Sequence, residues 1–114
     1  MHYVIVAKDL AGPESHDRRL KARSRHLAEI GTLKRTGRVI DGGAILDDAD
    51  EMIGSVVLCD FPDRASLDAY LKNEIYVRNN VWGDILIYRL RRVDWSLLDS
   101  SIEKSGAEQN RGRQ

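Results

Sequence analysis

The sequence has one cysteine, Cys59, so the chain cannot close a disulfide on itself. It has no excess charge of either sign: eighteen lysines and arginines balance eighteen aspartates and glutamates. A general nucleic-acid binder would carry a basic excess or stripe, so nucleic acid is not an expected partner. No stretch approaches the roughly 18 apolar residues that a membrane span needs, so no membrane is expected either. The opening Met1-His2-Tyr3-Val4-Ile5-Val6 lacks a basic leader and a small-residue cleavage site. The expected location is a reducing cytoplasm. Cys59, set in Val56-Val57-Leu58-Cys59, is expected to be a buried thiol that packs as a small hydrophobe. Metal ligands are also scarce. Three scattered histidines and one cysteine show no ligand spacing. Asp47-Asp48-Ala49-Asp50-Glu51 lacks the glycine and spaced glutamate of a calcium loop, and Gly42-Gly43 lacks the helix and lysine of a phosphate loop. Neither a metal nor a cofactor is expected.

What remains is a chain of 114 residues, 42% of them hydrophobic, enough for one domain with a real core. Residues 1–95 are expected to form that domain. A strand is expected over His2 to Lys8, then a turn at Gly12-Pro13. A helix follows, capped by Ser15 and running to about Arg35, with Leu20, Leu27, Ile30 and Leu33 as its apolar stripe and Gly37 as its C-terminal cap. Strands are expected over Arg38 to Leu46 and Ile53 to Phe61, then a second helix capped by Asp63 and ending near Lys72. Asn73 to Gly83 reads as less regular, and Asp84 to Val93 as the last strand. Residues 96–114 are polar; a short helix over Ser96 to Lys104 can dock back, and Lys104 to Gln114 is expected to fray.

The order βαββαβ is the ferredoxin-like arrangement, an α+β fold with a four-stranded antiparallel sheet and two helices on one face. Two helices cover only one side of a sheet. Yet Tyr3, Ile5 and Ala7 oppose an apolar Val4 and Val6, Val56 and Leu58 oppose Val57 and Cys59, and Ile85 and Ile87 oppose Leu86, Tyr88 and Leu90. A sheet with one wet face would alternate with polar residues. A second copy of the chain is the simplest cover, so a homodimer through the open sheet face is expected, with a pocket between sheet and helices.

His26 is the most informative single residue. At about 100° per residue, Ala22, Ile30 and Leu33 fall within roughly 40° of it, Arg19 within roughly 20° and Arg23 within roughly 60°. An imidazole beside two guanidiniums on an apolar face points to a wet pocket. Imidazoles titrate near neutral pH, which suits a general base, and the arginines can hold a carboxylate or phenolate. Such a base needs a carboxylate to orient it. Asp9, Asp41 and Glu74 are the candidates by type, and spacing does not choose among them. His2 and His16 are expected at the surface, Trp82 as the anchor of the last strand or a pocket wall, and Arg89, Arg91 and Arg92 at a rim or dimer contact.

Several of these pieces together resemble the YCII-related domain family. They are Tyr3-Val4-Ile5-Val6-Ala7-Lys8-Asp9, Arg19-Leu20, Arg23, His26-Leu27, Gly37-Arg38, Gly42-Gly43 and Gly54-Ser55-Val56-Val57, with a tyrosine motif after the second helix. The resemblance implies a dimeric α+β barrel and a pocket in which a histidine pairs with an aspartate. His26 matches that histidine. The aspartate belongs to an Asp-Pro-Tyr motif, which here reads Glu74-Ile75-Tyr76; the Gly-Pro after the second strand reads Gly43-Ala44. The resemblance implies cofactor-free chemistry of lyase or isomerase type, such as removal of chloride from a chlorinated hydroxyquinol. In that reading His26 and Glu74 are catalytic, Arg19, Arg23 and Tyr76 bind substrate, and the substrate is a small anionic or phenolic metabolite. The departures at Glu74-Ile75 and Gly43-Ala44 leave a second function open, a non-catalytic dimeric module that binds such a metabolite.

Overall fold

The structure is a computed structural model that describes residues 1–98. Four strands, β1 (His2–Asp9), β2 (Val39–Leu46), β3 (Met52–Asp60) and β4 (Trp82–Leu90), form one sheet in the order β2-β3-β1-β4. All neighbours are antiparallel. Helix α1 (Ser15–Arg35) joins β1 to β2, and α2 (Arg64–Asn73) with the single turn α3 (Ile75–Arg78) joins β3 to β4. This is the ferredoxin-like fold read from the sequence.

One face of the sheet carries the core. Tyr3, Ile5 and Ala7 of β1 and Val57 and Cys59 of β3 are buried with Ala22 of α1, Leu67 and Leu71 of α2, and Tyr76 of α3. Period-two alternation puts the β1 residues on one side, and both helices pack there. Cys59 is fully buried; burial, and then the nearby Asp60 charge, push its thiol up to about 11. The opposite face is apolar too. Register places Val4 between Leu58 and Tyr88, and Val6 between Val56 and Leu86. Leu86 and Tyr88 are 53% and 52% exposed.

Several local expectations are corrected. Ser15 is the first residue of α1, whose cap position is Glu14 with no side-chain hydrogen bond. Charge complements both ends, with Asp17 in the first turn and Lys34 and Arg35 in the last, and Gly37, at φ 85, closes the C-terminus as expected, its amide donating to the Lys34 carbonyl at 3.2 Å. Its buried residues are Arg19, Ala22 and His26, whereas Leu20 and Leu27 of the expected stripe are exposed. Hydrogen bonds made by the two polar residues fix the rotation of the helix, and the small Ala22 lets it approach the sheet. Strand β2 starts at Val39, and its register against β3 shifts twice, between Val39 and Asp41 just before the glycine pair and again between Ile45 and Leu46. The irregular 73–83 segment contains α3, and Asn80 at φ 58 turns the chain directly into β4, which begins at Trp82 and ends at Leu90. Asp63 caps α2 as expected, accepting a 2.8 Å bond from the Ser66 amide. Residues 95–98 form a helical turn; the rest of the expected Ser96 to Lys104 helix and the frayed end lie outside the described residues. Among the described residues, no helix is long and apolar enough to cross a membrane.

Gly54 sits where β3 crosses closest to β1. A Cβ there would stand 2.5 Å from the Ala7 carbonyl oxygen. Backbone cannot give way as a side chain can, so Gly54→Ala is expected to lower stability by about 1–3 kcal/mol in urea unfolding while Gly43→Ala, whose Cβ meets nothing within 4 Å, costs far less.

Candidate active site

Helix α2 ends at Asn73, and Glu74 breaks the run with extended backbone, φ −62 and ψ 131. The same residue then caps α3, its Oε1 accepting a 3.0 Å bond from the Tyr76 amide. This geometry turns the Glu74 side chain inward, where it is fully buried. His26, on the sheet-facing side of α1, places Nδ1 2.7 Å from the same Oε1. The other oxygen, Oε2, accepts a hydrogen bond from the Tyr70 hydroxyl, one helical turn back on α2. Of the three carboxylates left open by spacing, Glu74 is therefore the one beside His26.

Burial alone pushes Glu74 upward. The hydrogen bond and charge of His26, the Tyr70 hydroxyl and the Tyr76 amide outweigh it and hold the carboxyl below the ordinary glutamate range. Glu29, on α1 one turn beyond His26, is pushed up by partial burial and then by the Glu74 charge. One of its buried oxygens has no partner among the described residues.

The imidazole lies flat on the Tyr76 ring, with centroids 3.7 Å apart and planes 6° from parallel. Trp82 closes its edge at 5.9 Å. On the other side of Tyr76, the Arg19 guanidinium stands 4.9 Å from the ring centroid. Arg19 is buried, and it bonds Asp9 Oδ1 at 2.8 Å and Ser55 Oγ at 2.9 Å. Ser55 Oγ in turn accepts a 3.0 Å bond from the Trp82 indole. Burial raises the Asp9 carboxyl, with the Arg19 charge opposing it. Asp9 is thus the partner of Arg19, and Trp82, buried at the start of β4, anchors that strand and packs on the His26 edge without lining the cavity. Asp41 stands on the far wall, exposed, accepting a 2.8 Å bond from the Gly42 amide.

A cavity of about 340 Å³ opens between α1 and the β2–β3 edge. His26, Arg19, Arg23, Tyr76 and the backbone of Gly42 and Gly43 line it, as does Lys34 further along α1. Among the described residues, His26 Nε2 has no hydrogen-bond partner, while Arg23 and Lys34 form no salt bridge. Gly42 has a reason to be bare, since a Cβ there would stand 2.6 Å from the Val56 carbonyl oxygen. All five site residues read from the sequence border this one space or the carboxylate behind it. The sequence singles out neither Tyr70 nor Ser55, and it offers Asp9 to His26 rather than to Arg19. The i, i+4 spacing of Tyr70 and Glu74 is the one signal that points to the first of them.

Residues 1–91 match the YCII-related domain family. The chain belongs to that family. Its YCII-related relatives include an uncharacterized protein of Haemophilus influenzae, 27% identical over 99 residues, covering 82% of this chain and 99% of the relative. Protein YciI of Escherichia coli O6:H1 is 29% identical with the same coverage. Among solved structures, 5-chloro-2-hydroxyhydroquinone dehydrochlorinase of Burkholderia phenoliruptrix, in complex with 2,5-dihydroxybenzoquinone, is similar with a TM-score of 0.71 and 21% identity, covering 83% of this chain and 98% of that one. A conserved protein of Methanosarcina mazei gives a TM-score of 0.54 at 24% identity, covering 80% and 94%. At these identities the structural likeness speaks for the shared fold.

Because the folded pKa of Glu74 is depressed, its contribution to stability is complete above the ordinary glutamate value and is lost as pH falls through the lower folded value. Asp9 and Glu29, both held upward, act in the opposite sense; Asp9 is common to wild type and variant, whereas the part of the Glu29 shift that comes from the Glu74 charge is absent from Glu74→Gln. Glu74→Gln, less stable near neutrality, is therefore expected to lose less stability than wild type between about pH 5 and about pH 3, read by urea unfolding at each pH.

Proposed function

We propose that this YCII-related chain is a cofactor-independent enzyme of lyase or isomerase type acting on a small anionic or phenolic substrate. The observation that carries the reading is the 2.7 Å contact of His26 Nδ1 with a fully buried Glu74, made by an imidazole that also borders an open cavity. A buried histidine kept for packing alone needs no such cavity.

In this reading Nδ1–H donates to Glu74, which fixes the tautomer and leaves the Nε2 lone pair toward the cavity. Nε2 takes a proton from an acidic carbon or phenolic oxygen of the substrate. The resulting imidazolium is stabilised by the Glu74 carboxylate, and the substrate's electron pair moves onto an oxygen. Arg23, at the mouth of the cavity, faces that developing oxyanion; Arg19, already committed to Asp9 and Ser55, adds its charge from behind Tyr76. Tyr76 is the wall against which the imidazole lies, and it borders the cavity that takes the ligand. The similar structure is named for dehydrochlorination of a hydroxylated aromatic, 5-chloro-2-hydroxyhydroquinone, which supports the phenolic substrate class.

A panel of hydroxylated aromatics and small carboxylates, screened by thermal shift, is the first test. The expected result is a ligand that raises the melting temperature, is turned over, and loses turnover by about 10²–10⁴-fold in His26→Ala and in Glu74→Gln. Turnover that survives both changes overturns the base assignment, and binding without turnover identifies a non-catalytic module.

The working unit is proposed to be a homodimer that covers the Val4, Val6, Leu86 and Tyr88 face with its copy. The support is the unbroken apolar surface across β3, β1 and β4, with its two large side chains half exposed. Light scattering at micromolar concentration should give a dimer for wild type and a monomer for a Leu86→Asp, Tyr88→Asp double variant. A monomeric wild type contradicts the assembly.

A further inference from the structure

We propose that Tyr70 is a positioning residue of the His26–Glu74 pair, holding the far oxygen of the carboxylate so that the near one stays on Nδ1. This assignment rests on the reading of His26 as the base. The family's aspartate is replaced by a glutamate with one more methylene and one more rotatable bond. A longer carboxylate reaches further but is harder to hold in one orientation. Here both of its oxygens are committed. Oε1 receives His26 and the Tyr76 amide, and Oε2 receives the Tyr70 hydroxyl.

The tyrosine is itself held. Its ring stacks on Phe61 at 5.5 Å, and Phe61 lies beneath the Arg38 guanidinium at 5.6 Å. Tyr70 leaves α2 one turn before Glu74, so backbone geometry delivers the hydroxyl to the carboxylate. Burial, and then the Glu74 charge, push the phenol far upward, so the proton stays on Tyr70 and the hydroxyl acts only as a donor. The other titratable and charged groups near the pair are His26 and Glu29 from α1, Tyr76 and, beside Glu29, Arg78 from α3, and, beside Tyr70, Cys59 from β3. Glu29 repels Glu74 and offers it no proton donor while ionised. Tyr70 is the side chain that fixes the second oxygen.

The consequence for His26 is its tautomer. With Oε2 clamped, Oε1 has one orientation, and Nδ1 is the nitrogen that keeps the proton. Without the clamp, the carboxylate can rotate about its extra bond and the Nε2–H form becomes accessible, which is the wrong form for a base facing the cavity.

The test uses the full chain and needs no substrate. In wild type, proton NMR should show a downfield, slowly exchanging Tyr70 hydroxyl, absent in Tyr70→Phe and in Glu74→Gln. The titration midpoint of the Glu74 carboxyl carbon should move upward in Tyr70→Phe, because a donor to the charged form is lost. Imidazole nitrogen shifts should show an Nδ1–H tautomer in wild type and a rising share of Nε2–H in the variant. Phenylalanine keeps the stacking on Phe61, so a merely structural tyrosine would leave both quantities unmoved, and that result overturns the proposal. So does a wild type without a protected hydroxyl proton. These readouts are independent of turnover, so their failure leaves His26 as base, and failure of His26 as base leaves them standing.

Discussion

A single buried carboxylate ties this molecule together. An ionised group taken out of water costs several kcal/mol unless its lone pairs are met. Glu74 meets that cost with donors from three elements: the His26 ring of α1, the Tyr70 hydroxyl of α2 and the Tyr76 amide of α3. The break between α2 and α3, the docking of α1 over them and the orientation of the imidazole are therefore one event. No part of it can be moved without leaving a charge unpaired in the core. Such a group does less to raise stability than to select one arrangement.

A second polar network runs on the other side of the Tyr76 ring. Arg19 joins α1 to Asp9 at the end of β1 and to Ser55 in β3, and Ser55 receives the indole of Trp82 at the start of β4. Tyr76 is pressed between the two, with His26 on one face and Arg19 near it from another direction. The floor of the cavity is thus built from helix and sheet residues that fix one another, and the exposed Arg23 and Lys34 are left at its rim.

Much of this was legible in the sequence and some was not. Strand alternation at Tyr3, Ile5 and Ala7 and the caps at Asp63 and Gly37 express local rules, and the βαββαβ order followed from them. The burial of Arg19 in place of Leu20 did not follow, because it depends on Asp9 and Ser55, brought near only by folding. The choice of Glu74 over Asp9 and Asp41 was closed to spacing for the same reason: His26 and Glu74 are 48 positions apart. The family resemblance pointed at Glu74, and the geometry explains how a longer acid fits, by capping α3 and reaching His26 with the same oxygen. Tyr70 was hidden because its spacing to Glu74 gains meaning only when Glu74 has a role. The start of β4 was misplaced because Asn80 takes a left-handed turn that no pattern of apolar residues announces.

The bare stretch at Gly42 and Gly43 has one more consequence. The groups proposed to react stand on the helices, whereas the facing wall includes the bare Gly42 and Gly43 of β2, with room beside Gly43 for a side chain. On the proposed reading, shape and reactivity are housed in different parts of the fold. A lineage could change which molecules are admitted by adding bulk at Gly43 without touching the His26–Glu74 pair. In evolutionary terms the edge strand is a tuning element, and the helices are the fixed instrument.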